Sequence, residues 1–213
     1  MKKVNVMLVG VGGQGSITMG ELLKQVVMEN SNIVVTGTET RGAAQREGTV
    51  NSTIRYAVNE PGEEFDERRS VHSQLIPAGE ADIYIALEPV EALRSLNVVS
   101  EKTSIILNSY AIRPMSCVVD GVAYPELEKI VNMLKECSPD VIAINGNEMS
   151  REAFGDFQKM NIILIGAALA TGKLPITYEE MEKTIRDNIK YDVEDNIKAL
   201  KMGYDAYLQA KSS

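Results

Sequence analysis

The sequence is poor in the residues that most often carry catalysis and metal binding. Its 213 residues include one histidine (His72), two cysteines (Cys117 and Cys137) and no tryptophan. Iron–sulfur clusters and zinc sites are held by sets of Cys and His ligands, and this inventory is too small to supply either set. Most of the groups needed for demanding chemistry must therefore come from outside this chain.

Long apolar runs and an excess of positive charge are also lacking. With 22 Lys and Arg against 30 Asp and Glu, the net charge is −8 and offers no general basic surface for nucleic acid. The longest apolar run, Ile162–Ala170 with Gly166 inside it, is far shorter than the ~20 residues that cross a bilayer. We therefore expect neither nucleic acid nor a membrane as a partner.

The cysteines and the first residues predict a cytoplasmic protein. Cys117 and Cys137 form no CxxC motif, and a chain with 44% apolar residues can build a core without a disulfide. Lys2 and Lys3 precede the apolar segment Val4–Val9, but glycines follow directly and no small-x-small cleavage site is present. We interpret this segment as a buried strand and both thiols as reduced.

Short segments rich in Val and Ile alternate with segments of helical period. This pattern is typical of an α/β protein, and we predict a three-layer sandwich with a largely parallel, Rossmann-like sheet and a C-terminal helical segment. Thr49–Tyr56 alternates polar and apolar residues, which places it near an edge or beside a polar cleft. The predicted strands are Val4–Val9, Ile33–Thr36, Val50–Tyr56, Asp82–Leu87, Thr103–Leu107, Ser116–Val119 and Val141–Ile144.

Strand signals end near Ser150, and helical signals continue. We therefore expect one domain over residues 1–213, with an α/β core over 1–149 and a helical C-terminal extension over 150–213. Thr177 and Glu180 have the spacing of a capping box. The predicted helices are Ser16–Met28, Pro89–Leu96, Glu126–Cys137, Met160–Thr171, the helix after Thr177, and a last helix from Val193 to Leu208.

A glycine motif lies directly between the first strand and the first helix. Gly10–Gly15 satisfies GxGxxG, which allows a tight turn and leaves free amides at a helix N-terminus for a phosphate or carboxylate. A dinucleotide site also needs an acid at the end of the second strand, where the first acid is only Glu39. An anion or cofactor contact, an architectural turn and a turn buried against a partner protein all remain open.

Two further polar features follow predicted strands. Arg41 and Arg46 in the loop Thr38–Gly48 could clamp a carboxylate or phosphate beside the glycine turn, if the two strands are parallel neighbours. The alternative is a solvated turn. Glu88 follows the strand Asp82–Leu87 and either orients a cofactor or partner group or is an acid favoured near a helix N-terminus.

One long irregular segment, Val58–Gln74, is strongly acidic before Arg68 and Arg69. A loop of this length is either a lid or partner contact or a solvated excursion. His72 lies within it without a second histidine, and no GxSxG elbow is present, so a hydrolase triad is disfavoured.

Four blocks of the sequence form a recognisable combination. In chain order they are Gly10–Gly15 with its strand, Thr38–Gly48 running into Thr49–Arg55, Leu75–Leu93, and Asn161–Pro175. Together they resemble the gamma-type subunits of 2-oxoacid:ferredoxin oxidoreductases. Within that family the chain is most similar to the small (beta) subunits of indolepyruvate oxidoreductases, and the resemblance covers nearly the whole length.

The resemblance implies a subunit that is inactive alone and completes the active site of a partner. The complete enzyme would oxidatively decarboxylate a 2-oxo acid, such as indolepyruvate or pyruvate, to an acyl-CoA and reduce ferredoxin. Thiamine diphosphate and iron–sulfur clusters would belong to the partner subunit, CoA would bind in the complex, and this chain alone would bind none of them. The resemblance, with Arg41 added from the loop, gives these cofactor-binding positions: Gly10, Gly12, Gly13, Gln14, Gly15, Glu39, Arg41, Gln45, Arg46 and Glu88.

Some positions depart from the family pattern. Arg41 stands where related small subunits often have histidine, and Glu47 where glycine is common. These departures leave the 2-oxo acid open. Two alternatives also remain: a stand-alone nucleotide- or dinucleotide-binding protein, motivated by the glycine turn, and a pure assembly module whose loops contact protein only.

Overall fold

The computed structural model describes residues 1–42, 48–59, 62, 66, 68, 70–113, 117 and 121–212. Its strands are β1 (Lys2–Val11), β2 (Ile33–Arg41), β3 (Thr49–Val58), β4 (Ile83–Ala86), β5 (Ser104–Asn108) and β6 (Val141–Ile144). Its α-helices are α1 (Ser16–Gln25), α2 (Pro89–Arg94), α3 (Leu127–Cys137), α4 (Gly146–Phe154), α5 (Met160–Ala170), α6 (Tyr178–Asn188) and α7 (Val193–Ser212).

The strands form one twisted layer in the order β2-β3-β1-β4-β5-β6. β1, β4, β5 and β6 run parallel, whereas β3 is antiparallel to both of its neighbours. β1 is buried from Val4 to Val11, as expected of a strand covered on both faces. The predicted α/β class with a largely parallel sheet is confirmed.

Helices cover both faces of the sheet. On one face, Leu8 and Ile85 of the sheet pack in a common core with Leu23 of α1 and Ile163 of α5. On the other face, Val9 and Ile105 share a second core with residues of α2 and α3. These two cores give the predicted three-layer sandwich, and each fully buried aliphatic side chain stabilises it by about 1.5–3 kcal/mol.

The second and third strands differ from the prediction. β2 extends beyond Thr36 to Arg41, so Thr38–Arg41 is strand and not loop. The cause is the ladder with β3, in which Arg41 pairs with Val50 and the backbone groups of this polar stretch are satisfied. β3 is an internal strand and not an edge, because it separates β2 from β1.

The polar face of β3 lies under the chain that precedes β4. The Thr53 hydroxyl donates to the Gln74 carbonyl at 2.7 Å. The buried Arg55 guanidinium donates from Nε to Asn5 Oδ1 at 2.8 Å, and from Nη1 to the carbonyls of Ser73 and Leu75 at 2.7 and 3.0 Å. These bonds fix the end of the Val58–Gln74 segment against the sheet.

Other predicted features of the chain are only partly described. Most of residues 60–69 lie outside the described part, so the lid and solvated interpretations of Val58–Gln74 both stand, and His72 is exposed. Of the predicted strand Ser116–Val119 only Cys117 is described, and it is helical. The strand prediction was wrong at Cys117, because so short an apolar run does not distinguish a strand from a helix. Ser116, Val118 and Val119 lie outside the described residues.

The helices follow their sequence signals closely, with one omission. The Thr177–Glu180 capping box is present, with the Glu180 amide donating to Thr177 Oγ1 at 3.1 Å. Helix α4 was not predicted because Gly146-Asn147-Glu148 lacks an apolar stripe. Its signal was Asn145, whose side chain caps the helix by accepting from the Glu148 amide at 3.1 Å.

Helices α5 and α7 approach each other backbone to backbone. A Cβ atom on Gly166 would collide with the Leu200 carbonyl, and one on Gly203 would collide with the Ile163 carbonyl. The two glycines therefore permit a crossing that no larger residue allows. Within the described ranges, no helix is both long and apolar enough to cross a membrane.

Candidate functional site

The glycine turn joins the carboxyl end of β1 to α1 and is fixed by its own glutamine. Gly13 and Gly15 adopt left-handed backbone angles, with φ of 95° and 80°. Gln14 Oε1 accepts from the Val11 amide at 2.8 Å, and Gln14 Nε2 donates to the Leu87 carbonyl at 2.8 Å. Gln14 thus ties the turn to the end of β4, and both ends of its side-chain amide have partners within the protein.

An asparagine network continues this edge toward β5 and β6. Asn108, fully buried at the end of β5, donates to the Leu87 carbonyl at 2.9 Å and to Asn147 Oδ1 at 2.8 Å. Asn108 Oδ1 accepts from the Gly146 amide at 3.0 Å. The carboxyl ends of β1, β4 and β5 and the start of α4 are therefore held together by side-chain amides.

The N-terminus of α1 opens into a cleft of about 560 Å³. Among the described residues the helix has no side-chain cap, its first turn contains no acid, and its first backbone bond runs from the Met19 amide to the Gly15 carbonyl at 3.0 Å. The amides of Ser16, Ile17 and Thr18 precede that bond and have no acceptor within the helix. Free amides and the helix dipole favour an anion at this point.

The loop end of the β2–β3 hairpin, where β2 ends and β3 begins, forms the other wall of the cleft. The Gly12 amide donates to the Gly48 carbonyl at 3.0 Å, so the hairpin contacts the glycine turn directly. Arg41 lines the same cleft and is 64% exposed, with Nη2 3.6 Å from Glu39 Oε2. Amides and an accessible guanidinium fit a phosphate or carboxylate group.

The hairpin reaches this edge by a route that the sequence did not predict. The condition that the two strands are parallel neighbours was wrong, because antiparallel β3 lies between β1 and β2. Glu39 is paired with Ser52 of β3 and is two strands, or about 10 Å, away from β1. Glu39 is therefore too far from the turn to serve as the acid that a dinucleotide site needs at the end of the second strand, and the geometry does not favour such a site.

Glu88 lies at the same edge, buried at the start of α2. Its Oε2 accepts from the Glu91 amide at 2.9 Å, which makes Glu88 the N-cap of the helix. Its Oε1 accepts from the Ile112 amide at 3.3 Å and from the Tyr124 hydroxyl. Burial and this bond to Glu88 raise the pKa of Tyr124. Both carboxylate oxygens are therefore engaged in holding protein groups.

The structure brings most of the predicted site residues to one edge and leaves two undescribed. Gly12, Gly13, Gly15 and Arg41 line the cleft, whereas Gln45 and Arg46 lie outside the described residues. Sequence reasoning missed the asparagine network at this edge. Asn108 could have been found as the polar residue that ends a buried strand, and Asn147 by the capping signal of α4.

Metal ligation finds little support among the residues present. In the described part of the chain, no three His, Cys, Asp or Glu side chains are grouped to hold a metal ion. Cys117 and Cys137 are both free thiols. Two cysteines do not fit an iron–sulfur cluster, whereas the cleft fits an anionic group.

Fold and site together define an α/β protein in which a glycine turn opens into a cleft at a helix N-terminus. The family model described as pyruvate ferredoxin/flavodoxin oxidoreductase matches residues 5–206, and the chain belongs to this family. Indolepyruvate oxidoreductase subunit IorB of Archaeoglobus fulgidus is 36% identical, covering 99% of this chain and 98% of that protein. The subunit of the same name from Methanothermobacter thermautotrophicus is 35% identical over 95% of this chain and 96% of that protein.

Solved structures agree with the fold. The gamma subunit of a keto/oxoacid ferredoxin oxidoreductase from Geobacter sulfurreducens superposes with a TM-score of 0.64 at 20% identity, covering 97% of this chain and 99% of that one. A 2-oxoglutarate:ferredoxin oxidoreductase from Magnetococcus marinus, solved with 2-oxoglutarate, coenzyme A and succinyl-CoA, gives 0.68 at 14% identity, with 98% of this chain matching 32% of that one. The solved structures agree with the predicted fold, and the family model together with the indolepyruvate oxidoreductase relatives confirms the predicted oxidoreductase family.

Proposed function

We propose that this chain completes the active site of a partner subunit that carries thiamine diphosphate and iron–sulfur clusters. The assembled enzyme would oxidatively decarboxylate a 2-oxo acid to an acyl-CoA and pass the electrons to ferredoxin. Family membership over residues 5–206 and full-length relatives that are subunits of indolepyruvate oxidoreductase support this assignment. The shortage of cysteine and histidine in this chain agrees with redox centres on another chain.

The cleft at the N-terminus of α1 is the part of this chain that we assign to ligand binding. Its amides at Ser16, Ile17 and Thr18 and the guanidinium of Arg41 all favour negative charge, and no acid lies in the first turn of α1. A phosphate group of CoA or the carboxylate of the 2-oxo acid suits these donors. The residues would bind and orient that anion, while electron transfer belongs to the cofactors of the partner.

Indolepyruvate is the first 2-oxo acid to test. The relatives from Archaeoglobus fulgidus and Methanothermobacter thermautotrophicus carry indolepyruvate in their names, at 36% and 35% identity. Pyruvate and 2-oxoglutarate serve as comparison substrates, since those acids occur in the names of the family and of a structural neighbour.

Reconstitution with the partner subunit tests the function. The chain and the cluster-bearing subunit that co-purifies with it would be mixed under anaerobic conditions, and the reduction of a viologen dye measured with a 2-oxo acid and CoA. We expect activity only from the mixture. Full activity of the partner in the absence of this chain would contradict the proposal.

Arg41→Ala separates ligand binding from pure assembly. In an intact complex we expect the KM for CoA or the 2-oxo acid to rise about tenfold, because an accessible bidentate donor is lost. Arg186→Ala is the matched control, since Arg186 pairs with Glu182 and Glu194 on exposed helices away from the cleft. A complex that dissociates with Arg41→Ala would favour the assembly module, as would unchanged KM values.

Two coarser predictions from the sequence stand as part of this proposal. We place the enzyme in the cytoplasm, which is supported by two free thiols in the described chain. We also retain one domain with an α/β core over 1–149 and a helical extension over 150–213. A single unfolding transition followed by two probes would support the one-domain organisation, and two separate transitions would contradict it.

A further inference from the structure

A second, smaller cavity lies on the other side of the β1 terminus from the cleft. It encloses about 180 Å³, and its wall includes Gly48, Thr49, Ile112 and the charged residues Glu88, Glu91 and Arg94. Gly48 and Thr49 also line the larger cleft, so the two spaces flank the same hairpin strand. The volume is about six times the ~30 Å³ that a water molecule occupies in the liquid.

Glu91 contributes a buried oxygen atom to this wall that has no partner in the described protein. The side chain is 5% exposed, and its Oε1 lies 3.0 Å from Arg94 Nε. Its Oε2 is buried without a hydrogen-bond partner among the described residues. Leaving a carboxylate oxygen buried without a donor is unfavourable, so a ligand that donates a hydrogen bond to this atom would be stabilised there.

The charge around the cavity is negative in sum. Glu88 and Glu91 face one guanidinium, and Arg94 is 57% exposed to solvent. The oxygens of Glu88 already accept from the Glu91 and Ile112 amides and from Tyr124. Burial and then the charge of Glu88 raise the pKa of Glu91, whereas a hydrogen bond from the Thr49 side chain and the charge of Arg94 lower it, so that the pKa remains above its ordinary value.

We propose that this cavity binds one ammonium group, which donates a charge-assisted hydrogen bond to Glu91 Oε2. Two carboxylates are fewer anionic ligands than tight calcium sites usually provide, whereas a single such bond suffices for an ammonium group. The group arrives either as a free ammonium ion or as the end of a lysine side chain of a partner subunit. The inference does not depend on the proposed enzyme activity.

The isolated chain provides the first test. Ammonium chloride would be titrated into ¹⁵N-labelled chain, with tetramethylammonium chloride at equal ionic strength as the control salt that cannot donate a hydrogen bond. We expect saturable shifts of the Thr49 and Ile112 amide signals with ammonium only. Glu91→Gln should abolish the saturation, whereas Glu128→Gln, at an exposed position of α3, should leave it unchanged.

The assembled complex distinguishes the two sources of the ammonium group. If the partner supplies a lysine, Glu91→Gln should weaken assembly about tenfold or more and the complex should no longer respond to ammonium. If the ligand is a free ion, Glu91→Gln should assemble like the wild type and the wild-type complex should still bind ammonium. The proposal is overturned if the wild-type chain shows no saturable ammonium response and Glu91→Gln assembles normally. The wild-type titration measures the ammonium response even if Glu91→Gln folds poorly.

Discussion

At the residue scale, the polar side chains at the carboxyl edge of the sheet form hydrogen bonds within the protein. Gln14 was predicted as a ligand contact, and the oxygen and nitrogen of its side-chain amide both have backbone partners. Glu88 was given two interpretations, and its carboxylate caps α2 and holds Ile112 and Tyr124. The sequence identifies such residues by type and position, but each also has a partner more than 20 residues away, which no local pattern reveals.

Arg55→Met tests a buried side chain of β3 that lies away from this edge, opposite Asn5 of β1. Arg55 donates three hydrogen bonds, to Asn5, Ser73 and Leu75, and methionine preserves much of its packing but none of its donors. We expect the free energy of unfolding to fall by about 2–4 kcal/mol, because the buried Asn5 side chain and the carbonyls of Ser73 and Leu75 lose their donor. Urea titration measures the change.

The control for that variant is Arg151→Met. Arg151 pairs only with Glu148 on the exposed face of α4, and such surface pairs contribute about 0–1 kcal/mol. Equal losses in the two variants would show that Arg55 is no more important than a surface arginine.

Glu91→Gln should change how stability depends on pH. Burial and Glu88 raise the pKa of Glu91 in the folded state above the ordinary 4.5, so the folded chain holds this proton more tightly than the unfolded chain. The stabilisation by this group is therefore full below pH 4.5 and is lost as the pH rises through the raised pKa. Glutamine has no such loss, so the variant should gain stability relative to the wild type over that window.

Urea titrations of both proteins across that pH range, in buffer free of ammonium, give the comparison. Titratable groups that do not interact with Glu91 are common to the two proteins and cancel in the difference, whereas Glu88 and Arg94, which interact with it, contribute to the measured shift. Parallel stability curves for wild type and variant would contradict the expected shift.

At the element scale, the apolar strands and capped helices were predictable, whereas the pairing was not. β1, β4, β5 and β6 are short apolar segments that are recognisable by composition. The half of β2 from Gly37 to Arg41 contains no apolar residue, and it is a strand because β3 offers it a ladder. Strand order depends on such long-range pairing, so the insertion of β3 beside β1 is invisible in local periodicity.

The crossing of α5 and α7 gives the prediction at this scale. Gly203→Ala places a methyl group against the Ile163 carbonyl, and backbone atoms cannot move away as a flexible side chain can. We expect the free energy of unfolding to fall by about 3 kcal/mol, measured by urea titration. Lys201→Ala, at an exposed position of the same helix, should change it by less than about 1 kcal/mol. A Gly203→Ala protein as stable as the control would mean that the helices are not in close contact.

At the scale of the whole molecule, composition was the most informative property. One histidine and two cysteines already pointed to a chain whose chemistry depends on a partner. The family match over residues 5–206 agrees with that interpretation. The glycine turn and Arg41 were predictable as candidates from residue type. The cavity at Glu91 was not, because it arises only where β1, β3 and α2 meet in the fold.

Iron content tests the division of labour between chains. We expect the isolated chain, purified without oxygen and treated with iron and sulfide, to hold far less than one cluster per molecule, because it has two cysteines. The complex with the partner subunit should contain iron under the same treatment. A stoichiometric cluster on the isolated chain would contradict the assignment of the redox centres to the partner.

The two hydrogen bonds of the Gln14 side chain affect the free energy of ligand binding at the glycine turn. A glycine-rich turn that is free to move loses conformational entropy when a ligand orders it, and this loss weakens binding. Here the side chain fastens the turn to the Val11 amide and the Leu87 carbonyl from within the protein. The turn is therefore already ordered when the protein has folded. An anion that binds as proposed would find the amides of α1 in position.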